Sequence, residues 1–268
     1  MTTTSTPDIA EAQRLVDAVP HWHHRIEVVP GVVSRGAYDP RPMIDQMGLP
    51  EGLDGMRAID IGCNDGFFTF ELERRGAEVL AVDHSPPTPG FALTHRMRGS
   101  SVEHVRDNIY DMTPAKYGRF DLVLFLGVLY HLRHPLLGID IASLLCRGTL
   151  VVETHGLDDG FVTPEGAMTT LDDRRLEIMQ FYPGRELSGD ESNWWAPSLS
   201  CLSSMVETAL MRVRRACIWH PGRILVVADA APETELTHYP SGSWITDSCC
   251  YFPPGVAPRP VLSSPGSG

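Results

Sequence analysis

No stretch of this chain approaches the roughly 20 consecutive apolar residues that a membrane-spanning helix needs. Its start, MTTTSTPDIAEAQRLVDAV, lacks the basic-then-apolar pattern of a secretory leader. Both absences predict a cytoplasmic protein with no membrane partner. Positive charge is scarce: 22 Lys and Arg against 34 Asp and Glu leave a net charge of −12. That balance offers a polyanion no bulk attraction and argues against a nucleic-acid partner, in favour of small molecules. The six cysteines (Cys63, Cys146, Cys201, Cys217, Cys249, Cys250) never fall into C-x-x-C spacing, so free thiols are expected in place of a zinc site or a disulfide framework. Two phosphate-binding signatures, G-x-G-x-x-G and G-x-x-x-x-G-K-[ST], are missing as well.

What remains is an ordinary globular composition of 268 residues, 43% hydrophobic and 21% charged, enough for one large domain with extensions. Short runs rich in Ile, Val and Leu at 57–61, 78–82, 120–126, 149–153 and 223–229 read as strands buried on both faces. Weaker strands are expected at 102–106 and 212–219, making seven. Helical-period stretches lie between them at about 67–75, 90–98, 135–146 and 198–210. Strand alternating with helix predicts an α/β fold, a Rossmann-like doubly wound, mostly parallel seven-stranded sheet, with ligands at the carboxyl ends of the strands. Residues 1–55 read as an N-terminal helix (8–19) and a Pro- and Gly-rich lid or arm, 56–230 as the catalytic domain, and 155–197 within it as an acceptor-site insertion. Residues 231–268 read as an extended or disordered tail, in which Trp244, Tyr251 and Phe252 could pack against a neighbour; a homodimer is left open.

The stretch RAIDIGCNDGFFTFELERRGAEVLAVD (57–83) turns from the first of these strands into a helix through Asp60, Gly62, Asn64, Asp65 and Gly66. Glycines at that point let the backbone turn tightly and carry its N–H groups close to a ligand. About twenty residues on, the next strand ends in Asp83, where an acid accepts both hydroxyls of a ribose. The pair of signals suits adenosine without phosphate.

The D-x-G-x-x-x-G turn, Asp83 with His84 after it, and RDNIYDM (106–112) together resemble the class I S-adenosylmethionine (SAM) methyltransferases. The resemblance implies that Gly62 and Gly66 hold the amino-acid part of SAM and Asp83 the ribose, with Asp60, Asn64 and His84 also on the cofactor. Asp107, Asn108 and Ile109 would hold the adenine, with Leu126 and Gly127 closing the site. Asn64 stands where the family has a glycine. FDLVLFLGVLYHLRHPL (120–136) and NWWAPS (193–198) narrow the resemblance to the tRNA wobble-uridine carboxymethyltransferases and their small-molecule-modifying relatives. The tRNA enzymes recognise the extra carboxylate of carboxy-SAM with a Tyr, an Arg and a Lys. Here those positions fall on Tyr130, Arg223 and His24, the last beside Arg25. With the lysine replaced and no basic N-terminal region, ordinary SAM and a small acceptor are expected.

Methyl transfer needs an aligned acceptor, exclusion of water, and removal of a proton when the acceptor is a hydroxyl. His155 is the first candidate base and His131 the second, since each follows a strand and imidazole titrates near neutrality; Tyr130 and Glu153 are candidates for positioning. His134, before Pro135, reads as a helix start. Trp22, Trp194 and Trp195 are candidate walls of the acceptor pocket, because indoles stack on sugar faces; core packing explains Trp22 equally well. His21, His23 and His24 lie too close along one arm to bind a single ion without an Asp or Glu from elsewhere, and the acidic pairs in LDD at 157–159 and 171–173 read as solvated loops or helix caps, so no metal is expected. The leading expectation is O-methylation of a small hydroxylated metabolite: a sugar, an oligosaccharide or a natural product. A nucleic-acid methyl or carboxymethyl transferase, drawing on MRVRR (211–215) with Arg174 and Arg175 for basic charge, is the first alternative, and a non-catalytic SAM-binding module the second.

Overall fold

The computed structural model describes residues 8–158, 160–162, 168–169 and 175–231. Asp159, the acids of 171–173, Arg174 and the expectations for the tail lie outside the described residues. The chain divides into two compact units, residues 1–108 and 109–268.

In the first unit, helix α1 (Ile9–Asp17) is opened by Asp8, whose carboxylate accepts the Ala10 N–H at 3.1 Å, the expected role of an N-cap acid. The hairpin β1 (Glu27–Val29) and β2 (Val32–Val33) turns at Gly31, and helix α2 (Arg41–Met47) stops at the left-handed Gly48. None of these three elements was expected from the sequence, because a stretch so dense in Pro and Gly reads as irregular when those residues in fact punctuate short elements. Ile26, Val28 and Val32 pack with Ala12 and Val16 of α1 in one buried cluster. Beyond them run β3 (Arg57–Ile61), α3 (Phe67–Arg74), β4 (Glu78–Asp83), α4 (Pro89–Arg98) and β5 (Glu103–Arg106). β4 pairs in parallel with both β3 and β5. Leu93 of α4 completes the N-terminal cluster, and Arg98 Nε donates to the Val28 carbonyl at 3.2 Å. The arm is therefore packed into this unit's core, on α4.

The second unit begins with a 3-10 turn (Ile109–Asp111) and α5 (Pro114–Tyr117). β6 (Phe120–Leu126) follows, then a second 3-10 turn (Leu129–His131) and α6 (Pro135–Leu145). β7 (Cys146–His155) starts without a loop, which is why a helical period extending to 146 hid its first residues. The insertion contributes two small ribbons: β8 (Phe161–Val162) with β9 (Met168–Thr169), and β10 (Met179–Phe181) with β11 (Trp195–Pro197). α7 (Leu199–Thr208), β12 (Met211–His220) and β13 (Arg223–Ala230) complete it. β6 and β7 are parallel, whereas β13 runs antiparallel to β7 and to β12.

The central sheet has seven strands in the order β12-β13-β7-β6-β3-β4-β5. Its strands are those expected from the sequence. In β6, Leu122 to Phe125 are at most 1% exposed, as strands covered by helices on both faces should be. Each such side chain contributes about 1.5–3 kcal/mol by leaving water.

Candidate active site

In the first unit the turn after β3 is built on three left-handed residues: Gly62 (φ +83°), Asn64 (φ +47°) and Gly66 (φ +82°). Asparagine is among the few non-glycine residues that tolerate this region, which explains how Asn64 replaces a glycine without breaking the turn. At Gly66 a Cβ would lie 2.6 Å from the Phe91 ring and 2.7 Å from Phe70, so close packing excludes any side chain there. The Gly62 and Cys63 N–H groups donate to the Val82 carbonyl (2.7 and 3.2 Å), Asn64 N–H to Asp83 Oδ2 (3.1 Å) and Gly66 N–H to the Cys63 carbonyl (2.8 Å). Here the expectation from the sequence is corrected. The amides that a phosphate cradle would offer are spent inside the turn, because closing so tight a bend leaves carbonyls and a carboxylate as its nearest partners.

Asp83, closing β4, is held by backbone: its Oδ1 accepts the Ser85 N–H at 2.9 Å, and the exposed His84 ring lies 3.1 Å from that oxygen. Its side chain is 13% exposed, and a carboxylate has about four acceptor positions. Asp107 N–H donates to the Asp83 carbonyl at 2.9 Å, which sets the chain that carries Asp107 and Asn108 next to that acid. Asp60 is buried beneath the turn, accepts the Thr69 hydroxyl at 2.6 Å, and is pushed up to about 6 by burial.

Asp65 has a role that sequence reasoning missed. Its Oδ2 accepts the His23 and His24 N–H groups at 2.6 and 3.2 Å, and its Oδ1 the Thr88 hydroxyl at 2.7 Å. It clasps the N-terminal arm to the turn and to the start of α4. The only signal in the sequence was its place in the turn, which names no partner.

The arm also bears on two expectations. Trp22 is 6% exposed, lies in the cluster with α1 and α4, and donates its indole N–H to the Val16 carbonyl at 3.1 Å. It is core, not a pocket wall, since burying so large a ring on α4 stabilises the arm. His24 cannot act as a cation in place of lysine, because burial, with His23 beside it, holds its pKa down to about 3. Arg25 is half-exposed and lies 4.0 Å from Asp39.

In the second unit, Glu153 near the end of β7 is 1% exposed. It takes a bidentate pair from Arg223 (Nε 2.7 Å to Oε1, Nη2 2.6 Å to Oε2) and the Trp219 indole N–H at 3.0 Å. Trp219 is the second residue that sequence reasoning missed. The Arg223 guanidinium lies 5.1 Å above the Tyr130 ring, with a Tyr130–Arg223 hydrogen bond. Tyr130 meets the His155 ring edge-on at 4.5 Å. Burial, then Arg223 and His131, hold His155 down to about 3. The exposed His131 keeps its Nδ1 3.0 Å from the Ser192 hydroxyl. Leu126 is buried, and Gly127 (φ +68°) passes close enough that a Cβ would sit 3.5 Å from the Tyr130 hydroxyl.

Trp194 donates its backbone N–H to the Tyr130 carbonyl at 2.7 Å and lies under Arg133 at 4.2 Å. The Trp195 indole N–H is buried with no partner among the described residues. Tyr130, His131, His155, Glu153 and Arg223 thus come together as one cluster with the β10–β11 ribbon. Of the basic residues on β12, Arg214 lies 3.6 Å from Asp229. No group of three His, Cys, Asp or Glu among the described residues is arranged to hold a metal ion, and no described helix is long and apolar enough to cross a membrane.

Comparison with known proteins gives this geometry a family. Magnesium-protoporphyrin O-methyltransferase of Rhodobacter capsulatus is 41% identical over 93 residues, 34% of this chain and 40% of that protein. Ubiquinone biosynthesis O-methyltransferase of Xanthomonas campestris pv. campestris is 30% identical over 114 residues, 41% of this chain and 48% of that protein. The chain thus spans less than half the length of each. Among solved structures, the N-terminal domain of EvdMO1, crystallised in the presence of SAH and D-fucose, matches with a TM-score of 0.59 at 21% identity, over 86% of this chain and 99% of that domain. Its fold is shared. The family model described as "Methyltransferase domain" matches residues 22–190, and the chain belongs to that family.

Proposed function

We propose that this chain transfers a methyl group from SAM to a hydroxyl of a small metabolite such as a sugar, an oligosaccharide or a natural product. The observation that carries the reading is Asp83: a partly exposed carboxylate, fixed by the Asn64 and Ser85 N–H groups, next to a turn whose own amides are committed. Such a site suits the two hydroxyls of a ribose and disfavours a phosphate. Two relatives are named O-methyltransferases, and the EvdMO1 domain was crystallised with a sugar, which supports a hydroxyl acceptor. The EvdMO1 domain was crystallised in the presence of SAH, which supports ordinary SAM as the donor.

The donor supplies a methyl group already activated on a sulfonium, so the chain's residues have to orient and desolvate. Asp83 accepts the ribose hydroxyls. His155, kept unprotonated by burial and by Arg223, would accept a hydrogen bond from the acceptor hydroxyl and take its proton as the oxygen–carbon bond forms and the methyl carbon–sulfur bond breaks, the sulfonium leaving as the neutral thioether. A weak base suffices, because the alkylated hydroxyl is a strong acid at that moment. Tyr130, fixed by Arg223, orients the same hydroxyl.

The test is methyl-labelled SAM incubated with the full chain and a fractionated cell extract. Label should enter a small hydroxylated compound, and Asp83→Ala should cut SAM affinity by about tenfold or more in calorimetry, since hydrogen bonds to a charged group contribute about 1.5–3 kcal/mol each. Label in RNA, or Asp83→Ala binding SAM as well as the parent, would refute it.

A further inference from the structure

The arm that packs on α4 carries a polar atom that the reading above does not use. His24 is 6% exposed, and its Nδ1 is buried with no hydrogen-bond partner among the described residues. The ring is caged by aromatic side chains, with centroids 5.8 Å from Tyr38, 6.2 Å from Phe67 and 6.0 Å from Phe68. Phe67 and Phe68 are the first two residues of α3, directly after the turn. The backbone of His23 and His24 is bound to Asp65 of that same turn, while Asn64, one residue earlier, is bound to Asp83. Adjacent residues of one turn thus fix, on one side, the acid that takes a ribose and, on the other, an imidazole with an unspent nitrogen.

A ligand whose ribose is held by Asp83 and which continues along the turn runs from the acid bound to Asn64 toward His23 and His24, the residues bound to Asp65. In SAM the end beyond the ribose is an amino acid, whose carboxylate needs a hydrogen-bond donor. The turn cannot provide it through Gly62, Cys63, Asn64 or Gly66, because those amides are bound internally. We propose that His24 recognises the amino-acid end of the donor, its Nδ1–H donating to the α-carboxylate from a cage that the arm and the first turn of α3 build together. This rests on the reading of the chain as a SAM enzyme. A neutral donor is suited to the task, since a cation there would oppose the ammonium and sulfonium of the same ligand. Asp65 is the positioning residue that sets the ring against α3.

Calorimetry with two nucleosides separates the possibilities: S-adenosylhomocysteine, which has the amino-acid end, and methylthioadenosine, which keeps the nucleoside and sulfur but lacks it. His24→Phe should weaken S-adenosylhomocysteine by about tenfold or more while leaving methylthioadenosine within about twofold, because a charge-assisted hydrogen bond is lost only for the first. His24→Asn, whose side-chain amide can donate from nearly the same place, should keep most of the affinity. Equal losses for both nucleosides would mean that His24 only props up the arm, and would overturn the proposal. So would no loss for either, or an Asn variant as weak as the Phe variant. If the parent chain bound neither nucleoside, the donor reading itself would fall, and this assignment with it.

Discussion

His24 in the first unit and His155 in the second share one protonation state for different reasons. Burial is the main cause at both, but His24 sits among aromatic rings with only His23 to repel a proton, whereas His155 lies beside the Arg223 guanidinium. The carboxylates around them differ in the same way. Asp65 and Asp83 are satisfied mainly by backbone N–H groups, and Glu153 by a guanidinium and an indole. A carboxylate held by backbone fixes geometry without bringing a cation into the site; one held by arginine brings a field with it. The first arrangement suits a ligand that already carries positive charge, the second a polar, uncharged group to be oriented.

Removing the carboxylate that balances Arg223 should break this contrast most severely. Glu153→Gln keeps the shape but leaves a buried guanidinium with a neutral partner, which costs about 3–5 kcal/mol. Urea denaturation should show that loss, and a loss below about 1 kcal/mol would mean that water already serves the guanidinium.

Acid should reach both regions at once, with a smaller net effect. The unfolded chain binds protons below the ordinary histidine value of 6.5, and the folded one holds both histidines unprotonated down to about 3. Their contribution is therefore complete above pH 6.5 and is lost as pH falls. From 6.5 to roughly 4.5 each removes about 2.7 kcal/mol, at about 1.36 kcal/mol per unit. Asp60 works the other way, because its pKa is raised from 3.8 to about 6, so protonation of the folded state restores about 2 kcal/mol over the same range. The net loss is about 3 kcal/mol. Urea midpoints measured at steps across that range should fall steadily in the parent, and less steeply in His24→Phe. A flat profile would show that neither imidazole is desolvated.

Most of the sheet was legible in the chain because strands buried on both faces are written as unbroken apolar runs, as five of the seven are; β5 and β12, at the two edges, carry charged residues and gave only weak signals. The turn and Asp83 were legible for a related reason: their meaning depends on neighbours in sequence. The Glu153 cluster was not. Arg223 faces His155 only because β13 runs antiparallel on β7, and Trp219 reaches Glu153 only because β12 lies beside β13; no spacing in one dimension encodes that. Trp22 stayed undecided because an aromatic next to three histidines suggests a pocket as readily as a core. The arm's hairpin supplied the missing context, since Ile26, Val28 and Val32 bury against the same helix.

The smallest effect belongs to the backbone-held region and isolates its geometry from its chemistry. Asn64 contributes to Asp83 through its main-chain N–H, so its side chain can change while that bond stays. What changes is the cost of φ +47°. Asn64→Ala should destabilise the chain by about 1 kcal/mol, since a Cβ crowds the carbonyl in the left-handed region without the local hydrogen bonding that asparagine offers. Asn64→Gly should stay within about 0.5 kcal/mol, because glycine adopts that region freely but gains freedom in the unfolded chain. Both should bind the donor within about twofold of the parent. If Asn64→Gly lost affinity while Asn64→Ala did not, the asparagine would be tuning the turn's shape for the ligand, and the backbone alone could not be what fixes Asp83.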